Sequence, residues 1–481
     1  MLFTEPLFLF LFLPVLLGVY FTSPRFVRNW VLLGASLFFY ASGEKKYVVV
    51  LLVSILLNYV AGLLIDRASE MKRRRLILSL GMTGNLLLLG LFKYVGFLVA
   101  NLNHLAAALN LKPLPVPTLH LPIGISFFIF MGMSYLIDVY WRQIKAERKL
   151  NIFSLYITLF PHLIAGPIVR YTDIAKELVS RRNTRLQFAE GIKRFVIGLG
   201  KKILIANTLA LTVDSIFKVP LGQLTPSVAW LGVISYTLQI YFDFSGYSDM
   251  AIGLALMFGF HFPENFNYPY IAESITDFWK RWHITLTTWF RDYLFFPLFR
   301  RSVWRTYLNV LIVFFLCGLW HGASWNFVIW GLVHGMFLVV ERMGLLSWMS
   351  GRKKVFRHLY AMLAIMVGWV FFRAETFSQA FAFLKAMTGI MHGGEIEYNL
   401  SLYLNSELLL ALIAGILCSM PLIPLLRRWQ ERFMNGLKGA TKIPFELCIQ
   451  LVNLVALVMI FLASIAFSAA GTYSPFIYFR F

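Results

Sequence analysis

His321 stands at the end of an apolar run, between Trp320 and Gly322, in the stretch CGLWHGASWNFVIWGLVHG (317–335). Almost no polar residue lies near it in the chain. An imidazole at membrane depth is costly and is a functional candidate by default. Its ring exchanges a proton close to neutral pH, which suits a general base. A lone histidine at a helix end can equally be a hydrogen-bonded core residue. A second constellation, ITDFWKRWHITLTTWFRDYLFFP (275–297), brings His283 together with Lys280, Arg281 and Arg291 and with five aromatic residues, Phe278, Trp279, Trp282, Trp289 and Phe290. The seven-residue spacing of Trp282 and Trp289 predicts one aromatic stripe on an amphipathic helix near the membrane interface. On the functional reading, Lys280, Arg281 or Arg291 faces an anionic donor arriving from the cytoplasm. His283 then sits near the inner mouth of a cavity whose other end holds His321.

Other chemistries find little support. The chain carries no G-x-S-x-G elbow, no H-E-x-x-H and no phosphate-loop lysine signature. Ser245, in FDFSGYSD, has no apparent base. Asp243 and Asp249 flank it and could line a polar cavity or hold ions or protons, which leaves a transporter open. Cys317, Cys418 and Cys448 lie in or beside apolar stretches and suggest neither a disulfide framework nor a metal site. His334 falls on a different face of the next helix from the one His321 would occupy, which points to packing or support.

These residues must be positioned by elements that live in lipid. Of 481 residues, 59% are hydrophobic and 14% charged, and the mean hydropathy is +0.71. A soluble fold carries about a quarter charged residues. Long continuous apolar runs favour helices over the short alternating strands of a barrel. The runs 6–22, 28–42, 47–65, 76–92, 195–217, 227–244, 306–320, 324–342, 358–373, 406–426 and 447–470 predict about eleven spans in a single all-α integral membrane domain over 1–481, the first a retained span rather than a cleaved signal.

The net charge of +21 falls in clusters between spans, at 72–75, 142–149, 170–202, 280–305, 352–357 and 427–442, as cytoplasmic loops require. It is therefore topological and lipid-facing, and implies no nucleic-acid partner. The loop 375–405, poor in basic residues and carrying Glu395 and Glu397, is expected outside.

Putting every basic cluster inside has a consequence. Segment 151–170 begins and ends in basic clusters and contains Pro161, Gly166 and Pro167, so it should enter the membrane and return. Segment 249–278, with Pro263 and Pro269, should do the same. Irregular backbone at this depth is tolerated only inside protein or beside a wet cavity. The run 306–320 covers only about 22 Å, which leaves His321 within the outer half of the membrane. Gly322, Ala323 and Ser324 would then leave room for a substrate group. Residues 76–109 read either as one bent hairpin or as a span followed by a surface helix.

The runs YFDFSGYSDMAIGLALMFGF (241–260), PENFNYPY (263–270), DFWKRWHITLTTWFRDY (277–293) and LWHGASWNFVIWGLVHG (319–335) resemble the membrane-bound O-acyltransferase family, more narrowly its bacterial alginate O-acetyltransferase (AlgI-like) branch. LPIGISFFIFMGMSYLIDVY (121–140), FPHLIAGPIVRY (160–171), VFFRAET (370–376) and PFIYFRF (475–481) are similar too. FFPLFRRSVWR (295–305) departs from the pattern, keeping cations where relatives carry a glycine-rich basic loop.

The resemblance implies a helical bundle with re-entrant segments around a transmembrane tunnel. It implies acyl transfer from a cytoplasmic thioester, with acetyl-CoA the expected donor and no permanently bound cofactor or metal. His321 matches the family's essential histidine and His283 the histidine of its F-W-x-R-W-H motif, while Trp320, Trp325 or Asn326 is a candidate oxyanion donor. The expected setting is a bacterial inner membrane. The expected acceptor is an exported polysaccharide such as alginate, reached through an SGNH-type partner. Peptidoglycan O-acetylation, teichoic acid D-alanylation and, from another class, polysaccharide or solute transport are the alternatives.

Overall fold

In hydrocarbon only a helix satisfies every backbone N–H and C=O within its own segment, and the apolar runs fold accordingly. The computed structural model describes residues 1–220, 222–298, 302–390, 398–436 and 442–471. Glu395, Glu397, part of FFPLFRRSVWR and the terminal PFIYFRF lie outside them.

The first half holds α1 (Phe8–Thr22), α2 (Arg28–Glu44), α3 (Val48–Arg67), α4 (Met71–Ala108), α5 (Ile125–Tyr140), α6 (Leu150–Thr158), α7 (Phe160–Leu163), α8 (Tyr171–Val179) and α9 (Arg185–Ile216). The second half holds α10 (Pro226–Met257), α11 (Ile275–Trp279), α12 (Ile284–Phe290), α13 (Val303–His321), α14 (Trp325–Val340), α15 (Lys354–Arg373), α16 (Phe377–Met387), α17 (Ser406–Ser419), α18 (Leu422–Gly436) and α19 (Lys442–Ala469). Among the described residues, seven helical stretches are long and apolar enough to cross a membrane, or eight if α17 and α18, bent by 60°, form one span.

Burial sorts these helices into an inner and an outer set. The α5 side chains from Ile125 to Val139 are all buried, and α10 is buried along nearly its whole length. By contrast α19 is exposed along most of its length, an apolar rod facing lipid. At the centre α9 and α10 pack backbone to backbone. A Cβ on Gly198 would stand 2.6 Å from the Gly246 carbonyl oxygen, and one on Gly253 2.6 Å from that of Gly191. Glycines spaced by seven on both helices create this contact, the small-residue packing that lets membrane helices approach closely.

Irregular backbone enters the centre twice. Segment 151–170 forms α6, α7 and then extended chain, almost all buried. The second insertion is shorter than its sequence suggested, because α10 runs on past Phe244 to Met257. Nothing breaks the helix there: Gly246 and Gly253 sit in its interior, against α9, and the first proline is Pro263. Residues 258–274 are irregular apart from one turn at 269–271, followed by α11 and α12.

The aromatic stretch 275–297 is not an interfacial helix. His283 takes φ +44°, ψ +53°, a left-handed conformation that interrupts the helix between α11 and α12. Trp279, Trp282 and Trp289 turn into the core instead of lying in one stripe. Trp289 stacks on Phe130 at 4.0 Å and donates its indole N–H to the Phe130 carbonyl at 3.1 Å.

Candidate active site

His321 is the last residue of α13, and α13 and α14 form a tight hairpin. A Cβ on Gly318 would come 2.3 Å from the Phe327 carbonyl oxygen, and one on Gly331 2.1 Å from that of Phe314. Gly322 does not leave open space beside His321 as its size suggested. The Phe327 ring fills it, since a Cβ there would meet that ring at 2.2 Å. Ser324 instead caps α14, its hydroxyl accepting the Asn326 N–H at 3.3 Å.

The His321 ring, 5% exposed, is walled by aromatic rings: Trp320 and Trp330, each at 4.9 Å, and Phe372 at 5.3 Å. Neither of its nitrogens has a hydrogen-bond partner among the described residues. Buried His334 shares this state, whereas His162 keeps one nitrogen engaged, its Nε2 lying 2.9 Å from the Tyr156 carbonyl. The second imidazole is close by. His283, 1% exposed, has its ring centroid 6.5 Å from that of His321.

Asn265, from the irregular insertion, fixes His283. The backbone N–H of Ile284 donates to the Asn265 carbonyl at 2.9 Å, and that of Asn267 to the Arg281 carbonyl at 2.9 Å, so the two segments pair like short strands. The Asn265 side-chain oxygen lies 3.0 Å from His283 Nδ1 and accepts from the Thr285 hydroxyl at 2.9 Å and the Thr285 N–H at 3.3 Å. Its amide nitrogen donates to the Ser248 hydroxyl at 3.1 Å. An amide oxygen only accepts, so His283 Nδ1 carries the proton and Nε2 presents the lone pair. That Nε2 is buried and has no partner among the described residues. The first insertion joins the network where the Ile168 N–H donates to the Thr285 hydroxyl at 2.9 Å. Two segments distant in sequence are thus stitched together beneath one histidine.

A cavity of about 1010 Å³ ends at this network. One wall is polar, formed by Tyr241, Ser245, Ser248 and Asp249 of α10 with Lys201 of α9; the other, from α17 and α19, is largely apolar. Asn265, the partner of His283, and Phe266 line it, as do the cations Lys193, Arg194 and Arg427, of which Arg194 is paired with Asp249 and Glu264. The carboxylates that kept a transporter open are held in ion pairs. Asp249 meets Lys201 at 2.6 Å and Arg194 at 3.0 Å, and Asp243 meets Lys202 at 2.5 Å.

The three cations singled out in the sequence, Lys280, Arg281 and Arg291, are not among the residues lining the cavity. Lys280 and Arg291 are exposed. Arg281 pairs with Asp277 at 2.9 Å and reaches the Asn267 carbonyl at 3.3 Å, and Arg291 pairs with Asp292 at 2.7 Å. Two of the candidate oxyanion donors are already engaged: Trp325 donates to Asn101 at 2.9 Å and Asn326 to the Ala374 carbonyl at 2.7 Å. The Trp320 indole N–H is buried with no acceptor among the described residues. His334 continues the aromatic cluster, 5.2 Å from Trp330 and 5.4 Å from Trp279.

Sequence reasoning missed Asn265, and also Lys93 and Tyr94 of α4, which reach the end of α13 from across the bundle. A lone lysine in the apolar run LLLLGLFKYVGF was the available signal for the second of these.

The sequence pattern of the membrane-bound O-acyltransferase family matches residues 149–372, a stretch that contains both His283 and His321. "Probable alginate O-acetylase AlgI" of Azotobacter vinelandii is 40% identical, covering 100% of both chains. The protein of that name from Pseudomonas aeruginosa is 44% identical over 80% of this chain and 75% of its own. A "Peptidoglycan O-acetyltransferase" of Helicobacter pylori is 38% identical over 81% of this chain and 80% of its own. With two buried imidazoles at its centre and full-length similarity of this order, the chain is an acyltransferase that belongs to the membrane-bound O-acyltransferase family, in its AlgI-like branch.

Proposed function

We propose that this enzyme takes an acetyl group from acetyl-CoA at the cytoplasmic face of a bacterial inner membrane. It passes the group outward for O-acetylation of an exported polysaccharide, alginate in the first instance. An SGNH-type partner carries the group to the sugar. The observation that carries the reading is the pair of buried imidazoles, 6.5 Å apart, of which His283 is held by Asn265. Asn265 lines the cavity, though neither ring does, so the expected cavity with His321 at its far end is not found there.

In the reaction the attacking hydroxyl, of the acceptor or of the partner, gives its proton to His321 while its oxygen adds to the thioester carbonyl carbon. The Trp320 indole N–H, buried without an acceptor among the described residues, donates to the oxyanion that forms. The carbon–sulfur bond then breaks, and the leaving thiolate takes the proton back from His321 and departs as a thiol. His283, held by Asn265 with Nε2 free, offers a second acceptor for the same proton.

The donor's pantetheine arm, with its two amides, suits a cavity with one polar and one apolar wall. Lys193 and Arg427, both lining the cavity, are the cations that would take its phosphates.

The test is genetic and chemical together. Cells lacking the gene and complemented with His321→Asn should export polysaccharide without O-acetyl groups, counted by proton NMR of the purified polymer. Acetyl content equal to wild type would refute the catalytic role. Normal alginate acetylation in the deletion strain with loss of peptidoglycan O-acetyl groups would redirect the acceptor.

A further inference from the structure

A helix that ends inside a membrane protein leaves its last four carbonyls without intrahelical partners, and there is little water to take them. At the end of α13 each is accounted for. The Gly318 carbonyl accepts the Gly322 N–H at 3.2 Å. The Leu319 carbonyl accepts the Tyr94 hydroxyl at 2.8 Å. The carbonyls of Trp320 and His321 both face Lys93, whose Nζ lies 2.5 Å from the first and 3.5 Å from the second. Two consecutive residues of α4 thus take the three carbonyls that the hairpin itself leaves open. Lys93 also touches the Ser126 hydroxyl at 3.4 Å and stands 5.9 Å from the centre of the Trp320 ring. Both residues belong to a widened turn of α4, at Gly90–Tyr94, which sets them against α13.

We infer that Lys93 is a positioning residue for acyl transfer. It clamps the backbone of Trp320 and His321 and places a cation at the negative pole of α13. That helix end is where the preceding section puts both the base and the oxyanion donor, and the inference rests on that reading. The geometry gives two reasons for a lysine rather than any capping residue. The carbonyls it binds belong to the two reacting residues themselves, so their side chains inherit the clamp's position. The C-terminal partial charge of a helix, about half an electron, would oppose an anion forming beside Trp320, and the ammonium offsets it. Both effects act on the transition state more than on donor binding.

The experiment compares Lys93→Met, Lys93→Arg, Tyr94→Phe and His321→Ala in proteoliposomes, following thiol release from acetyl-CoA across a donor series. Lys93→Met should lower kcat by about ten- to a hundredfold with donor KM held within about twofold, and Lys93→Arg, which restores cation and donors, should recover most of it. A Met variant with wild-type kcat overturns the clamp, as does a folded Arg variant no better than Met. Should Lys93→Met fail to fold, Tyr94→Phe decides, because it removes only the Leu319 contact. A fall of about threefold in kcat at constant KM is expected there, and an unchanged kcat counts against the clamp. His321→Ala separates the two claims: activity surviving in that variant overturns the base, whereas its loss beside fully active Lys93 variants overturns the clamp alone.

Discussion

The rings of His283 and His321 face each other edge to face, 63° apart in plane, with Trp320 packed against both at 6.0 and 4.9 Å. One ring comes from a left-handed turn between two short re-entrant helices, the other from the last residue of a span. Neither element alone makes a site. Their meeting depends on contacts made far from the rings, and each of these can be tested separately.

Asn265 is the first. Replacing it with Leu removes the acceptor of His283 Nδ1 and of Thr285 and leaves buried donors unpaired. A buried unsatisfied group costs about 1–3 kcal/mol, so Asn265→Leu should lower the melting temperature of the detergent-solubilised protein as well as its turnover. Asn265→Asp keeps the oxygen acceptors and should retain more activity than Leu. The reverse order would contradict the assigned tautomer.

Trp320 offers a cleaner separation of binding from chemistry. Trp320→Phe keeps an aromatic ring against His321 and loses only the indole N–H and one ring's bulk. If that N–H serves the oxyanion, kcat falls by about 10²–10³ while donor KM stays near wild type. A matching fall for Trp325→Phe, whose N–H is already given to Asn101, would sink the assignment.

The cavity makes its own claim. Ser245 lines it, and its buried hydroxyl has no partner among the described residues. Ser245→Leu should obstruct the donor arm and raise acetyl-CoA KM at least about fivefold, with smaller change in kcat. Lys193→Ala combined with Arg427→Ala should raise KM in the same direction and flatten its dependence on salt. Unchanged KM in all of these variants would mean the donor reaches His283 by another route.

The contact between α9 and α10 is structural and should behave so. With the Gly246 carbonyl oxygen 2.6 Å from where a Cβ on Gly198 would sit, Gly198→Val must push the central helices apart. Overpacking costs about 1–3 kcal/mol or more, and little folded protein should survive extraction. Gly351→Ala, where nothing lies within 4 Å of the added atom, should express normally.

What the sequence disclosed follows physical lines. Fold class was legible because 59% hydrophobic residues in long runs leave helices as the spanning structure. His321 and His283 stood out because imidazoles are rare at that depth. The tryptophan stripe misled because a seven-residue spacing presumes one helix, and the positive φ of His283 breaks it. Asn265 was hidden for a related reason: its role exists only once residues 265–267 pair with 281–285, a contact no local pattern encodes. Lys93 lay in the ambiguous stretch after residue 92, and its partners are carbonyls, which sequence never displays. The seven-residue glycine spacing in α9 and α10 was readable, but its meaning depends on the two helices being neighbours.

The central claim is that His321 is the base for acyl transfer through the membrane, and sealed inside-out vesicles from cells carrying the complete acetylation machinery test it most directly. Labelled acetyl-CoA is supplied to the exposed cytoplasmic face and a uronate oligosaccharide is enclosed in the lumen. Label should accumulate on the enclosed oligosaccharide with the wild-type protein and stay at background with His321→Asn. Equal labelling in both preparations would contradict the account.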